Sequence, residues 1–138
     1  YNYIELRQEL AGYDFRTTPE ALKKAVQSWA VRIGVTPNGV YLQRMTAKWG
    51  SCSPRGRICF SLDLLLESQE FQALVIVHEL LHLQIPNHGK LFKSLLSAFI
   101  PGWESIRSRS PRAFCGSCVR PDPHYYLQLP SQGLPLQK

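Results

Sequence analysis

The stretch from Phe71 to Leu83 constrains the fold more than any other part of the chain. Phe71, Leu74, Val75, Ile76, Val77, Leu80, Leu81 and Leu83 make it apolar nearly all round. That pattern predicts a helix, starting near Glu67, in the middle of a domain. Into this apolar setting the chain inserts His78-Glu79-Leu80-Leu81-His82. Residues four apart share one helix face, so both imidazoles can point at a single ion. Ionisable groups on a buried helix are costly unless something uses them. Glu79 lies about a quarter-turn round from His78, where its carboxylate can reach a water on the ion without binding the ion itself.

Catalytic zinc takes three protein ligands and keeps a fourth position open. His88 is the best third candidate, just past Pro86, which cannot continue the helix. Asn87 reads as the cap of a following helix, which puts His88 in that helix's first turn. The spacing from His82 to His88 matches H-E-x-x-H-x-x-G-x-x-H enzymes, although Ile85 stands where they carry glycine, so the turn must be built differently. Glu104 is the alternative acidic ligand, well downstream. Three neutral nitrogens suit zinc and leave it electrophilic. The chemistry this predicts is hydrolysis of a peptide bond by a metal-activated water, with Glu79 as the general base that passes its proton to the leaving amine.

The remaining sequence supplies a compact setting. Thr17-Thr18-Pro19-Glu20 predicts a helix start, Leu22, Ala25, Val26, Trp29, Ala30 and Ile33 its apolar face, and Gly34 its end. Val40 to Thr46 and Arg57 to Ser61 read as strands, paired as a hairpin across a turn-rich Ser51–Gly56. Leu91, Phe92, Leu95, Leu96 and Phe99 form the expected buried face of the next helix, Pro101-Gly102 breaks it, and a short helix near Trp103–Ile106 follows. The division expected is a domain over 1–108 and an irregular tail over 109–138, loosely ordered or packed along the domain.

With 138 residues, 44% hydrophobic and 19% charged, the chain can bury a core without needing disulfides or metal merely to fold. No apolar run reaches the length of a membrane span, and no secretory signal precedes the first helix. The chain opens on Tyr1, which reads as a trimmed start and leaves a removed targeting segment open. A formal charge of +6 permits contact with nucleic acid, with Arg107, Arg109, Arg112 and Arg120 the clustered candidates and a solvated tail the plainer reading. The four cysteines do not make a secreted disulfide ladder, so a reducing, cytoplasmic setting is expected. Cys115 and Cys118 form half of a zinc-ribbon pattern that His124, Cys52 or Cys59 could complete as a second metal site; a local disulfide is the other option. Cys52 has no histidine beside it in sequence and reads as a structural thiol. Lys48, Arg44 and Asn87 are candidates to stabilise a developing oxyanion, against a plain surface role.

Two stretches resemble the YgjP-like metallopeptidases, a family of small zinc hydrolases related to the zincins. The first is Lys48-Trp49-Gly50-Ser51-Cys52-Ser53 with Gly56-Arg57-Ile58; the second runs from His78-Glu79-Leu80-Leu81-His82 through Pro86-Asn87-His88 to Phe92 and Pro101-Gly102-Trp103. The resemblance spans roughly residues 15–108. Lys48 stands where the family pattern suggests arginine, and the Cys115/Cys118 tail is not part of that pattern. The resemblance implies His78, His82 and His88 as zinc ligands and Glu79 as general base. It implies an α+β zincin-like domain, with a small, mostly antiparallel sheet packed on the metal-binding helix. In such folds an edge strand near the metal pairs with extended substrate, and Arg57, Cys59 and Ser61 are the candidates for that strand. The competing expectations are a SprT-like protease acting on proteins held on nucleic acid, and a non-catalytic binding module that keeps zinc for stability.

Overall fold

A computed structural model describes residues 17–115 of the chain. Helix α1 (Pro19–Ile33) begins where Thr18 Oγ1 accepts the Ala21 N–H at 3.2 Å and ends at Gly34, whose N–H returns to the Ala30 carbonyl. Its buried face is Leu22, Val26 and Ala30, three of the residues expected from the helical spacing.

Three short strands follow: β1 (Gly39–Gln43), β2 (Gly50–Cys52) and β3 (Arg57–Ser61), arranged in the order β1-β3-β2. β1 runs parallel to β3, with Gly39 opposite Arg57 and Gln43 opposite Ser61. β2 runs antiparallel, with Gly50 opposite Phe60 and Cys52 opposite Ile58. The sheet is therefore mixed, and the expected hairpin between β1 and β3 does not form. β2, expected to be part of a turn, intervenes and is itself the hairpin partner of β3. Its Gly-Ser-Cys sequence has no β-branched or aromatic residue to announce a strand; pairing makes it one.

A 3-10 turn (Leu62–Leu66) leads into helix α2 (Gln69–Leu81), capped by Ser68 Oγ on the Phe71 N–H at 3.3 Å. Buried Gln72 ties the two together, donating to the carbonyls of Leu64 and Glu67 at 3.0 and 3.1 Å. α2 is the centre of the molecule: Phe71, Leu74, Val75, Ile76, Val77, Leu80 and Leu81 are all at most 2% exposed. It is in contact with α1, β2, α3 (Lys90–Phe99) and α4 (Trp103–Arg107).

Two details differ from expectation. Helix α3 starts one residue after Gly89, and Asn87 Oδ1 accepts the Gly89 N–H at 2.9 Å instead of capping the helix, so His88 lies in the connecting loop. On α3 itself Phe92 and Leu96 are buried, but Leu91 is 63% exposed.

Beyond α4 the chain returns to the sheet. Ala113 pairs with Lys48 in a parallel bridge, and the N–H groups of Trp49 and Gly50 donate to the carbonyls of Ala113 and Phe114 at 2.9 and 2.7 Å. Phe114 is fully buried, 5.4 Å from the Phe71 ring. Cys118, Arg120 and His124 lie outside the described residues. Among the described residues no helix is long and apolar enough to cross a membrane.

Candidate metal centre

Helix α2 ends at the position where its chemistry begins. His78 sits in its last turn, Glu79 follows, and His82 is the C-cap. The backbone then tightens, with the N–H groups of Leu83, Gln84 and Ile85 bonding back to Leu80 and Leu81, and Pro86 stops any continuation. This turn replaces the glycine of the longer motif and brings His88 back over the helix end. His88 Nε2 lies 3.2 Å from His78 Nε2 and 3.0 Å from His82 Nε2, and the latter two are 3.3 Å apart. Three imidazoles thus present the same ring atom to one point.

The imidazoles are held from outside. His82 Nδ1 donates to the Ile85 carbonyl at 3.0 Å, which leaves Nε2 as the lone-pair atom facing the point of convergence. Phe92 stacks on His82 at 4.8 Å and meets His78 and His88 edge-on at 5.1 and 4.9 Å. Burial pushes the pKa of His78 down to about 4, outweighing the Cys115 contact that raises it, so that ring stays neutral, the form that binds a metal.

A fourth donor joins them. Cys115 Sγ is 3.5 Å from His78 Nε2 and 3.6 Å from His82 Nε2, and the four donor atoms all lie within 4.8 Å of one another. Cys115 was expected to work with Cys118, in a second metal site or a local disulfide; its sulfur lies at the histidine cluster, and Cys118 is outside the described residues. No local signal marks it, because it arrives through the return of residues 110–115 to the sheet.

Glu79 is fully buried beneath β2. A Cβ on Gly50 would stand 3.0 Å from Glu79 Cγ and 3.3 Å from the Cys59 carbonyl, so glycine lets the strand cross this close without displacing the carboxylate side chain. Neither carboxylate oxygen of Glu79 has a hydrogen-bond partner among the described residues. Burial holds the group well above the usual carboxylate range; Cys115 adds to this and Lys48 opposes it. A buried carboxylate without a partner, next in the chain to an imidazole of this cluster, fits a site that takes a divalent cation, whose charge would offset the cost of ionising it there.

The other expected residues do not gather here. β3 is the central strand, its backbone paired on both sides, so Arg57, Cys59 and Ser61 cannot serve as a free edge for substrate. Arg57 and Cys59 line an open cleft of about 370 Å³ with Tyr41, Gln43 and Ser51, where Arg57 donates to the Tyr41 hydroxyl at 3.2 Å. Ser61 is buried and donates to the Met45 carbonyl at 2.7 Å. The strand that passes Glu79 is β2. The Cys52 thiol is pushed up to about 12, first by burial and then by Glu79 and Cys115, which suits a structural thiol rather than a nucleophile. Arg44 and Asn87 are exposed. Arg109 pairs with Glu70 at 3.8 Å, Arg112 with Asp63 at 3.1 Å, and Arg107 lies over the Phe114 ring at 4.5 Å, so these arginines face partners within the molecule.

Two crystal structures share this fold. The metallopeptidase zymogen of Pyrococcus abyssi abylysin matches with a TM-score of 0.58 at 17% identity, over 67% of this chain and 98% of that one. The metallopeptidase zymogen of Methanocaldococcus jannaschii jannalysin matches with a TM-score of 0.58 at 20% identity, over 64% of this chain and 91% of that one. No curated protein matches the sequence. The profile of the YgjP-like metallopeptidase domain matches residues 2–109. That match takes in the glycine strand, the α2 motif and the loop to His88 together, and the chain belongs to the YgjP-like metallopeptidase family.

Proposed function

We propose that this metallopeptidase is zinc-dependent, with His78, His82 and His88 as the protein ligands and Glu79 as the general base. One observation carries the reading. Zinc–nitrogen bonds of about 2.0–2.1 Å in tetrahedral geometry separate ligand nitrogens by about 3.3–3.4 Å. The three Nε2 atoms are 3.0, 3.2 and 3.3 Å apart. Neutral imidazoles without a carboxylate favour zinc over harder cations.

When bound, the zinc polarises the scissile carbonyl and acidifies water. Glu79 then has the proton to manage: its buried, unpartnered oxygens accept it from the water and return it to the departing amine. β2 is the strand that carries extended peptide past this carboxylate, since Gly50 brings backbone donors and Glu79 to the same place.

Metal analysis of the purified chain beside His88→Ala and Glu79→Gln tests this. The wild type is expected to hold one zinc, His88→Ala to lose it, and Glu79→Gln to keep it while peptide hydrolysis falls by about 10²–10⁴-fold. A His88→Ala variant with full zinc removes that ligand, and a Glu79→Gln variant with normal turnover rejects the base.

A further inference from the structure

We propose that Cys115 is the fourth ligand of this metal, delivered by the chain's own Ala113–Phe114 segment lying along β2, so that the site is closed until the segment leaves. The proposal rests on the three-histidine reading above and adds a regulation of the same site.

The sulfur lies at tetrahedral spacing from two of the three nitrogens and within 4.8 Å of the third. With zinc–sulfur bonds of about 2.3 Å, a thiolate stands about 3.5–3.6 Å from the nitrogen ligands. Cys115 Sγ is 3.5 and 3.6 Å from the Nε2 atoms of His78 and His82. Three imidazoles and a thiolate make a complete set of four, which leaves no position for the water that hydrolysis requires.

The path of the segment gives the second, independent argument. Trp49 and Gly50 spend their N–H groups on Ala113 and Phe114, the same backbone donors that an extended peptide would use on β2. The segment is anchored at several points before it reaches the ion. Ser110 Oγ accepts from Trp49 Nε1 at 3.2 Å, and the Arg112 guanidinium lies 4.0 Å over the Trp49 ring while its charge meets Asp63 at 3.1 Å. Phe114 is inserted between Phe71 and His78, at 5.4 and 5.5 Å. Segment and substrate therefore compete for one strand and one coordination position. With a metal bound, opening would be a ligand exchange in which Cys115 gives up its coordination position to water and takes up a proton from solvent.

Cobalt in place of zinc reads this directly. The full chain loaded with one equivalent of cobalt(II) is expected to show a thiolate-to-cobalt charge-transfer band in the near ultraviolet. Cys115→Ser should bind one cobalt without that band, Cys118→Ser should keep it, and zinc-loaded Cys115→Ser should hydrolyse peptides severalfold faster than wild type. In unmutated protein, alkylation of Cys115 followed by mass spectrometry should be slow with metal bound and fast after chelation, a readout that needs no variant to fold. One bound cobalt with no band, or a band that survives Cys115→Ser, overturns the ligand. A lost band with hydrolysis no faster than wild type overturns the closing role. A wild-type chain that binds no metal at all brings down the three-histidine reading first, and this one with it.

Discussion

Residues four apart share a helix face, which groups His78 with His82 before any coordinates; His88, in the loop past Pro86, joins them through the six-residue spacing of the longer motif. Cys115 could not be grouped this way, because 27 positions separate it from His88 and its placement depends on a β-bridge between Lys48 and Ala113. Gly50 is a third kind of residue: it precedes the turn-rich Ser51–Gly56, and its purpose is steric. Adding one methyl group there puts carbon 3.0 Å from Glu79 Cγ, with a backbone carbonyl closing the other side at 3.3 Å. The side chain of Glu79 must give way, since the sheet backbone is less free to move. Overpacking of this kind costs about 1–3 kcal/mol. Gly50→Ala should therefore lower thermal stability modestly, keep its zinc, and reduce peptide hydrolysis by roughly 10- to 100-fold through the displaced base. Steady-state kinetics beside a melting curve decide it; unchanged turnover means the carboxylate's position under β2 does not matter.

The helices and the two longer strands were legible and the pairing of the sheet was not, for a physical reason. α1, α2 and α3 advertise themselves through apolar residues at helical spacing, and Ser68, Thr18 and Pro86 punctuate them in ways backbone hydrogen bonding dictates. Parallel pairing of β1 with β3 leaves no such local mark, because it joins strands separated by a third one. Between elements, the contact that matters most to the site is made by α3. Phe92 is 1% exposed and lies within 5.1 Å of all three imidazole centroids, stacked on His82 and edge-on to the others. It is therefore both core and scaffold. Phe92→Ala removes a buried aromatic side chain at a cost of about 3–5 kcal/mol. It also frees three rings to reorient, so zinc affinity should fall by about 10- to 100-fold, as it does when ligands lose their orienting partners. Competition with a metal indicator measures the affinity. A variant that is destabilised but binds zinc as tightly as wild type would show that Phe92 only fills space.

At the scale of the whole molecule, the net charge of +6 proved less informative than the places where the charges sit. Among the described residues Arg107, Arg109 and Arg112 are turned onto Phe114, Glu70 and Asp63, where the chain returns to the sheet. That return means the metal would join three separate parts of the fold: the end of α2, the loop before α3, and the Ala113–Cys115 segment beside β2. An ion bound only by the folded chain stabilises it by mass action, and at a thousandfold excess over its dissociation constant this amounts to about 4 kcal/mol. For a domain of this size, 1 kcal/mol moves the melting midpoint by about 4–8 °C. Stripping zinc with a chelator should accordingly lower the midpoint by more than about 10 °C. It should not unfold the chain at room temperature, because α1 and the apolar face of α2 form a core that does not involve the donors. Calorimetry with and without chelator checks both halves of this. An unchanged midpoint would mean that the four donors hold no structural ion, and a chain already unfolded at room temperature after chelation would mean that the apolar core cannot stand by itself.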